Sequence, residues 1–469
     1  MHDFLTLLPL LIVVTGAIVL MLLSAFDKTP LERAALMAMG FFAAAFFFQL
    51  LAGYGPETLV FERIFNGMLV ANNFTMVAAL IIFACGFFTA MSSHSYFQVN
   101  RIGILEFYAL IMFAACGMIL LTMAGEMITA FIALEIMSLA IYVLVGFDRN
   151  RLTATEAILK YMLLGAFAGG FFAMGTALIY GAAGTTSFAA LSTAIAGGTI
   201  SSPLLLGGAF LIFVALLFKI AAFPFHAWVM DVYEGAAAPV TGFMATALKA
   251  AVFTLFANIL AIHGELHQGW VEFLFYLAVF TMFGGNLIAI GQNNLKRMLA
   301  ASGIVHTGYL LIGLVAISAE SFTGAVIGYY LAAYAAGTLG IFAALSYLGG
   351  EGEKRTNFDD FRGLARVRPY SAAAITIFLL SMAGIPPTAG FMGKFYIITS
   401  AINAGQIALA VLAVVSSIFS MWYYLRLIIA MYFHEAEESF TTAKSPWAGA
   451  GTLALAVSVF AIGLYPIII

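Results

Sequence analysis

Long apolar runs recur along nearly the whole sequence, and they limit what the chain can fold into more than any other feature. Each run is close to the roughly 20 residues that a helix needs to cross a hydrocarbon core about 30 Å thick. The runs are continuously apolar and do not alternate with polar residues, which disfavours a β-barrel. We therefore predict an all-α polytopic membrane protein with about fourteen transmembrane helices. The predicted segments cover residues 4–26, 34–53, 68–91, 102–123, 125–147, 152–182, 203–232, 239–261, 271–290, 298–317, 324–349, 370–402, 404–431 and 450–468.

Composition excludes several other classes of protein. Charged residues make up 9% of the 469 residues, against about 25% in soluble domains, so the chain is not a soluble enzyme. The two cysteines, Cys85 and Cys116, lie in apolar runs without C-x-x-C spacing. This excludes a disulfide framework, a zinc site and an iron–sulfur site within the chain. The net charge of −3 makes nucleic acid an implausible partner.

Lysine and arginine indicate the orientation, because cytoplasmic loops of membrane proteins are enriched in both. With the N-terminus outside, thirteen of these residues fall in inner loops and only Arg63 falls in an outer loop. We therefore expect both termini to face outward and the loop 350–369 to be the main cytoplasmic feature. The thirteen inner residues are Lys28, Arg33, Arg101, Arg149, Arg151, Lys296, Arg297, Lys354, Arg355, Arg362, Arg366, Arg368 and Lys444.

Two of the longest segments contain proline near their middle. Segment seven carries Pro224 shortly after Lys219, and segment twelve carries Pro386 and Pro387 ahead of Lys394. Proline removes a backbone donor and clashes with the preceding turn, so each segment should unwind there. Unwound backbone at membrane depth is tolerated only inside the protein or beside a wet cavity. The breaks therefore indicate a transport path.

The spacing of the two breaks indicates an internal repeat. They lie five predicted segments apart, which fits two five-helix units, and an odd number of helices requires the second unit to be inverted. We expect an N-terminal three-helix region at 1–101, a first repeat at 102–261, a second repeat at 262–431 and a C-terminal helix at 432–469.

Five titratable residues lie near mid-depth on five predicted helices: Glu135, Lys219, Lys249, His306 and Lys394. A charged lysine at the centre of an isolated helix costs about 2.5 to 3.5 kcal/mol, so several together indicate water and paired acids inside the bundle. A shift of Glu135 relative to Lys219 would change how readily Lys249 holds a proton. These residues therefore predict a switchable proton relay. The alternatives are lysines that only orient helices and a hydrogen-bonded core histidine.

A second polar group lies nearer the predicted cytoplasmic ends. Glu156 and Lys160 are four residues apart on one face of segment six, and Glu106 is in the inner half of segment four. They form a candidate site of proton uptake, and an interfacial ion pair is the alternative for Glu156 and Lys160. His226 in the first break is either a relay group or a core histidine, and Arg426 is expected to snorkel.

Motifs for a bound cofactor are absent from the sequence. Lys394 follows glycine, but Thr388 stands where a P-loop needs its first glycine, which excludes an ATP site. Only His226 and His306 are deep enough to hold a haem, which makes a bis-histidine site improbable. No nucleophile elbow or H-E-x-x-H motif is present. We therefore expect no cofactor in this chain.

Four stretches strongly resemble the antiporter-like membrane subunits of proton-pumping NADH-quinone oxidoreductase, respiratory complex I, and the resemblance covers nearly the whole chain. Within that family the sequence is most similar to subunit N. Subunit M usually has glutamate in place of Lys394, and the C-terminal lateral helix of subunit L is missing. The stretches are LEIMSLAIYVLVGF (134–147), FKIAAFPFHAWVMDVYEGAAAPVTGFMATALKAAVF (218–253), NNLKRMLAASGIVHTGYLLIGL (293–314) and AGIPPTAGFMGKFYI (383–397).

The resemblance implies roles for individual residues. Glu135 matches the glutamate of segment five, Lys219 its ion-pair lysine, Lys249 the central lysine and Lys394 the lysine of the second broken helix. Other residues fall where the family has polar relay groups, namely Glu106, Glu156, Lys160, His226 and His306.

The resemblance also implies a function. We expect a proton-translocating subunit without a redox centre, in which protons pass from the cytoplasm to Lys249, through His306 to Lys394 and outward, gated by Glu135 and Lys219. NADH, FMN, iron–sulfur clusters and quinone would then lie in partner subunits. The expected neighbours are subunit M and the small subunits nearer the quinone site, in a bacterial inner membrane with both termini periplasmic.

Two other interpretations remain open on the sequence. A subunit of a multisubunit Mrp-type cation/proton antiporter shares the fold and the central lysines, and it needs no NADH dehydrogenase partner. A mainly structural membrane subunit would use the same charges only to set helix register.

Overall fold

The computed structural model describes residues 2–26, 30–53, 62–100, 102–148, 151–197, 202–262, 267–317, 324–435, 440 and 446–466. The helices of the N-terminal half are α1 (His2–Phe26), α2 (Leu31–Gly53), α3 (Asn73–Asn100), α4 (Glu106–Thr122), α5 (Met127–Val145), α6 (Leu152–Ala183), α7 (Phe188–Ala196), α8 (Pro203–Lys219), α9 (Val229–Gly235), α10 (Ala238–Phe243) and α11 (Lys249–Ile262). Those of the C-terminal half are α12 (His267–Ile290), α13 (Leu295–Ile317), α14 (Gly324–Leu348), α15 (Leu364–Val367), α16 (Pro369–Ala383), α17 (Ala389–Asn403), α18 (Ile407–Phe433) and α19 (Pro446–Leu464).

The predicted all-α membrane class is confirmed. Eleven helices in the described part are long and apolar enough to cross a bilayer, and α4, α8 and α16 are shorter apolar helices. The only strands in the same residues are β1 (Glu62–Ile64) and β2 (Leu69–Ala71), which form one antiparallel hairpin. The number of crossings, the inverted repeats and the four divisions of the chain stay predictions. Four residues used for the orientation lie outside the described residues: Lys28, Arg101, Arg149 and Lys444.

The most buried helices stand at the centre of the bundle. The apolar window of α13 is 100% buried, whereas that of α6 is 33% buried. The span from Ala238 to Leu260, which joins α10 and α11 through a π-helical turn at Met244–Leu248, is almost as enclosed as α13. An exposed apolar face suits contact with lipid or another subunit, so α6 is peripheral while α11, α13 and α14 form the core.

The predicted break in segment seven is confirmed. Helix α8 ends at Lys219, and helical structure resumes only at Val229. Side chains on α13 and within the break satisfy backbone carbonyls that the break frees. Thr307 of α13 donates to the Ile220 carbonyl at 2.9 Å, and the Trp228 indole donates to the Phe218 carbonyl at 3.1 Å. Such partners are required because the bilayer interior supplies no water to unpaired backbone.

The predicted break in segment twelve is also confirmed. Helix α16 ends at Ala383, Gly384 follows in the left-handed region (φ 85°), and α17 begins at Ala389. A side chain at Gly390 would lie 1.8 Å from the Ser381 carbonyl oxygen. Only glycine allows the two halves of the segment to approach so closely.

Candidate functional site

Lys219 is anchored by hydroxyl groups. It is the last residue of α8 and is 1% exposed, and its Nζ donates to Ser138 Oγ at 2.7 Å and to Tyr142 Oη at 3.3 Å. Both hydroxyls lie on α5, which also carries Glu135. No salt bridge joins Glu135 to Lys219 in the described part of the chain. The residues of the predicted pair, Glu135 and Lys219, are therefore connected through α5. The Lys219 ammonium contacts hydroxyl groups of that helix directly.

Glu135 is half-buried against α6. A Cβ built on Gly169 would lie 2.6 Å from Glu135 Oε1, so this glycine makes room for the carboxylate. The Lys219 ammonium lies 5.4 Å from the ring centre of Tyr142 and 5.9 Å from that of Tyr161. Cation–π contacts of this kind help to hold a charge away from bulk water.

Lys249 begins α11 immediately after the π-helical turn. Its side chain is 3% exposed, and its ammonium donates to the Gly303 carbonyl on α13. The ring centre of Tyr334 lies 5.1 Å from Nζ. An ammonium has three donors, so one hydrogen bond within the described chain leaves two available for water.

His306 sits one turn beyond Gly303 on α13. Its Nδ1 shares a hydrogen bond with Tyr330 Oη at 2.7 Å, and its Nε2 shares one with Tyr424 Oη at 3.3 Å. The ring of Tyr334 lies 4.9 Å from the imidazole, centre to centre. Both ring nitrogens therefore have partners, and Tyr334 touches Lys249 and His306 alike.

Lys394 lies on α17 beside the second break. Its Nζ donates to the Ala383 carbonyl at 3.0 Å, and the ring centre of Tyr309 lies 5.0 Å from it. Ala383 ends α16, so the ammonium sits at the negative end of that helix dipole, which favours a positive charge.

Helix α13 brings the three central groups together. It carries His306 and Tyr309, it provides the carbonyl that binds Lys249, and it packs against α17. A cavity of about 10 Å³ lies between His306 and the second break, where Ser381 forms part of its wall. Its size is close to the volume that one water molecule requires. The site thus consists of titratable side chains joined by tyrosines, with one small cavity beside His306.

Glu156 and Lys160 form the predicted pair, at 2.6 Å. Lys160 also contacts Asp231 at 2.5 Å, and Asp231 and Glu234 both contact Arg297, at 2.8 and 2.7 Å. Asp231, Glu234 and Arg297 were not predicted as site residues, although the DVYEG run that contains the two acids belongs to the stretch 218–253 quoted above. The cluster is partly exposed, so its pairs contribute little to stability, and its role as a site of proton uptake stays a prediction.

The buried residue Glu353 was also missed by sequence reasoning. It lies in the loop predicted to be cytoplasmic, contacts Arg151 at 2.7 Å and Lys296 at 2.9 Å, and accepts the Ala238 backbone N–H at 2.7 Å. Burial alone would raise the pKa of Glu353, but Lys296 and Arg151 outweigh it and hold the pKa below its usual value. One carboxylate therefore connects the loop to the N-terminal ends of α6, α10 and α13.

Glu106 is separated from these clusters. It is the first residue of α4 and lines a groove of about 870 Å³ together with Asp148 and apolar residues of α1, α5 and α6. The structure does not bring Glu106 into contact with Glu156 or Lys160 in the described residues.

His226 and Arg426 make local contacts at the first break and beyond the end of α12. His226 stacks on Phe223 within the first break, with ring centres 5.2 Å apart, and its buried Nδ1 has no hydrogen-bond partner in the described chain. Arg426 donates to the Gln292 carbonyl at 3.1 Å and to Asn293 Oδ1 at 2.6 Å, beyond the end of α12. The expected snorkelling of Arg426 stays a prediction.

Comparison with known proteins gives one consistent result. A family model described as "NADH:quinone oxidoreductase/Mrp antiporter, TM" matches residues 124–420. NADH-quinone oxidoreductase subunit N 1 of Sorangium cellulosum is 38% identical, with coverage of 98% of this chain and 95% of the relative. Subunit N of Chloroflexus aggregans is 39% identical, with coverage of 99% and 95%.

Solved structures with the same fold include a chain of respiratory complex I from Thermus thermophilus, which is 33% identical with a TM-score of 0.83 and coverage of 98% and 97%. A chain of an Mrp complex from Dietzia sp. has a TM-score of 0.80 and coverage of 98% and 94%, but at 20% identity it indicates the fold alone. The resemblance found in the sequence is confirmed: this chain belongs to the NADH:quinone oxidoreductase/Mrp antiporter family and, within it, to the NADH-quinone oxidoreductase N subunits.

Proposed function

We propose that this subunit of the proton-pumping NADH-quinone oxidoreductase moves protons along Lys249, His306 and Lys394. The observation that carries the proposal is the arrangement of these groups around α13. Lys249 binds a carbonyl of α13, His306 belongs to α13, and Lys394 lies over Tyr309 of the same helix. A proton can therefore cross the centre of the chain without leaving the surroundings of one helix.

The bonding of the two lysines suits transient protonation. Lys249 and Lys394 each donate to a single backbone carbonyl in the described chain, and neither has a carboxylate within salt-bridge distance there. A tightly paired ammonium would hold its proton, whereas an ammonium with free donors can pass one to water. Tyrosine hydroxyls on both sides of His306 supply groups that donate and accept.

Glu135 and Lys219 form the gating unit of this proposal. Glu135 lies one helical turn before Ser138 on α5, and Ser138 accepts a hydrogen bond from the Lys219 ammonium. A change in the charge next to Glu135 would move the Lys219 ammonium and alter the field at Lys249. Supporting roles fall to Glu106, Glu156, Lys160 and His226.

The rest of the enzyme completes the reaction. NADH, FMN, iron–sulfur clusters and quinone belong to partner subunits, and the neighbours of this chain are subunit M and the small subunits nearer the quinone site. The chain lies in a bacterial inner membrane with both termini periplasmic. Residues 102–261 and 262–431 form two inverted repeats, flanked by 1–101 and 432–469.

Replacement of Lys249 tests the function. In inverted membrane vesicles, Lys249→Met in the assembled complex should abolish most of the NADH-driven pH gradient, because methionine fills the space without carrying a proton. Lys354→Met, at an exposed loop position, is the matched control and should pump normally. An undiminished gradient in the Lys249 variant would remove this residue from the path.

The Mrp-type alternative has a separate test. Membranes that contain a tagged chain are solubilised mildly, run on a native gel and stained for NADH dehydrogenase activity. Co-migration of the tag with the active high-mass band supports the respiratory enzyme. Migration elsewhere, with that band intact, would favour the antiporter.

A further inference from the structure

Buried hydroxyl groups without a hydrogen-bond partner are concentrated along one contact between helices. In the described chain, Thr89 and Tyr96 on α3, Tyr108 on α4, and Tyr334 and Thr338 on α14 have hydroxyls that make no hydrogen bond of standard geometry, and none of the five residues is more than 4% exposed. The hydroxyls of Tyr96, Tyr108 and Tyr334 lie near the polar groups of Arg151, Ser93 and Thr338, but outside direct hydrogen-bond geometry. Buried polar groups are nearly always bonded, and those without a protein partner usually bond internal water. This concentration therefore points to water.

The hydroxyls share helix faces. Thr89, Ser93 and Tyr96 follow one another at four and three residues on α3, which places them on one side of the helix. Tyr334 and Thr338 are four residues apart on α14. Each step along a face is close to one helical turn, about 5.4 Å, which a single water molecule between two hydroxyls can bridge.

Helices α3 and α14 run side by side in the same direction. Near their first turns, a Cβ on Gly328 would lie 3.3 Å from Val77, and after their last turns the Gly352 N–H donates to Asn100 Oδ1 at 2.7 Å. Between these two contacts, α3 and the segment that begins with α14 contain nearly the same number of residues. This register puts Thr338 within about one turn of Thr89 along the helix axes.

The two ends of this row of hydroxyl groups lie next to charged side chains. At one end, the Tyr96 hydroxyl lies next to the Arg151 guanidinium, which is paired with Glu353. At the other end, the ring of Tyr334 lies against Lys249. From the level of Tyr96 to that of Tyr334 the line spans about 20 Å. In its middle, the Tyr108 hydroxyl faces that of Ser93.

We propose that this hydroxyl line (Thr89, Ser93, Tyr96, Tyr108, Tyr334 and Thr338) is a hydrated proton-uptake route from the Glu353–Arg151 cluster to Lys249. The inference rests on the proposed function, because it names the route that loads the central lysine. Hydroxyl groups and water both donate and accept, so each passes one proton onward as it receives the next, and no group is consumed.

The other polar cluster adjoins a different lysine. Tyr161 directly follows Lys160, and its ring centre lies 5.9 Å from the Lys219 ammonium. The partly exposed Glu156–Lys160–Asp231 cluster is therefore next to the gating pair. The hydroxyl line reaches Lys249 along α3 and α14 instead, through the ring of Tyr334.

Paired substitutions separate the hydroxyl from the shape of the side chain. Thr89→Val/Thr338→Val keeps the shape and removes both hydroxyls, whereas Thr89→Ser/Thr338→Ser keeps the hydroxyls and removes the methyl groups. In inverted vesicles with the assembled complex, we expect the valine pair to lower the NADH-driven rate of proton transport at least threefold. The serine pair should retain most of it. Thr452→Val is the control, because this buried hydroxyl donates within its own helix.

Equal rates in the valine pair and the wild type would overturn the proposal, and so would equal losses in the valine and serine pairs. If the valine pair fails to assemble on a native gel, Tyr108→Phe provides the test, and an unchanged rate in that variant would contradict the route. Lys249→Met is measured in parallel. Loss of transport there with normal transport in the valine pair overturns the uptake route alone, whereas normal transport in both also overturns the proposed function.

Discussion

Lys394 donates a hydrogen bond to the Ala383 carbonyl, at 3.0 Å, across the second break. The lysine and the broken helix are therefore one unit: the break ends α16 at Ala383, and the positive charge of the lysine lies at the negative end of that helix. The same break opens a small cavity towards His306. The binding site of the Lys394 ammonium and a small cavity beside His306 both arise from one local feature of the backbone.

Gly384→Ala tests this coupling. Gly384 has φ 85°, and a Cβ there would lie 2.9 Å from Lys394 Cδ. Gly405→Ala is the matched control, because its φ of 75° imposes a similar backbone strain in open space. We expect proton transport to fall severalfold in the Gly384 variant and to stay near normal in the control. Equal effects on both would show that backbone strain alone is responsible.

Ser138→Ala should weaken the gating unit. Its hydroxyl is the nearest hydrogen-bond partner of Lys219, at 2.7 Å, and a hydrogen bond to a charged group contributes about 1.5 to 3 kcal/mol. We expect NADH-driven proton transport to fall by about tenfold if most of that energy acts on the gate. Ser346→Ala removes a buried hydroxyl that bonds only within its own helix. Similar rates in the two variants would contradict a role of Ser138 at Lys219.

Gly169→Ala should displace Glu135. A Cβ at this position would lie 2.6 Å from Glu135 Oε1, whereas the next residue, Gly170, has open space around it. The two alanine variants change the same helix by the same methyl group, so their effects on helix propensity are comparable. We expect turnover and proton transport to fall in the Gly169 variant only. Normal transport in both would indicate that the position of Glu135 is unimportant.

Glu353→Gln should destabilise the chain through its loop. The change leaves Lys296 and Arg151 buried without their carboxylate, and removal of one partner of a buried pair costs about 3 to 5 kcal/mol. We expect a shorter half-life of the solubilised complex at raised temperature. Glu351→Gln, at an exposed position two residues earlier, should leave the half-life unchanged, and equal half-lives in all three proteins would contradict the prediction.

The pH dependence of this contact follows from the lowered pKa of Glu353. A carboxyl whose pKa is lowered in the folded protein contributes stability at every pH above its unfolded value, about 4.3 to 4.5. That contribution is lost only as the pH falls through the lower folded value. The half-life of Glu353→Gln should therefore be shorter than that of the wild type by a constant factor from pH 6 to pH 8. A difference that disappears within this range would contradict the assignment.

The parts of this fold that sequence reasoning found are those in which one residue type has a strong local effect. Proline in a spanning segment has few tolerated positions, so both breaks were predictable. Lysine at mid-depth is costly, so Lys219, Lys249 and Lys394 stood out. The spacing of Glu156 and Lys160 was enough to predict their contact, because residues four apart on a helix are neighbours.

The missed contacts have no such local signal. Lys249 binds a backbone carbonyl, which every residue possesses, and that carbonyl belongs to Gly303 on a distant helix. His306 and Tyr424 are brought together by the packing of α13 and α18. Glu353 stood in a charged loop among other acids, and only the structure gives it two buried basic partners. In each case the contact partner is one of several chemically equivalent polar groups, and only tertiary packing determines which one lies close enough.

The proposed path of protons along Lys249, His306 and Lys394 is tested by the number of protons transported per NADH, measured together with turnover in proteoliposomes. The assembled enzyme with Lys249→Met/Lys394→Met would be compared with the Lys354→Met control. The relay predicts a clear fall in the rate of proton transport in the double variant and no fall in the control. The fall can come from fewer protons per NADH, from slower turnover or from both. Normal turnover with an unchanged ratio in an assembled double variant would contradict the relay.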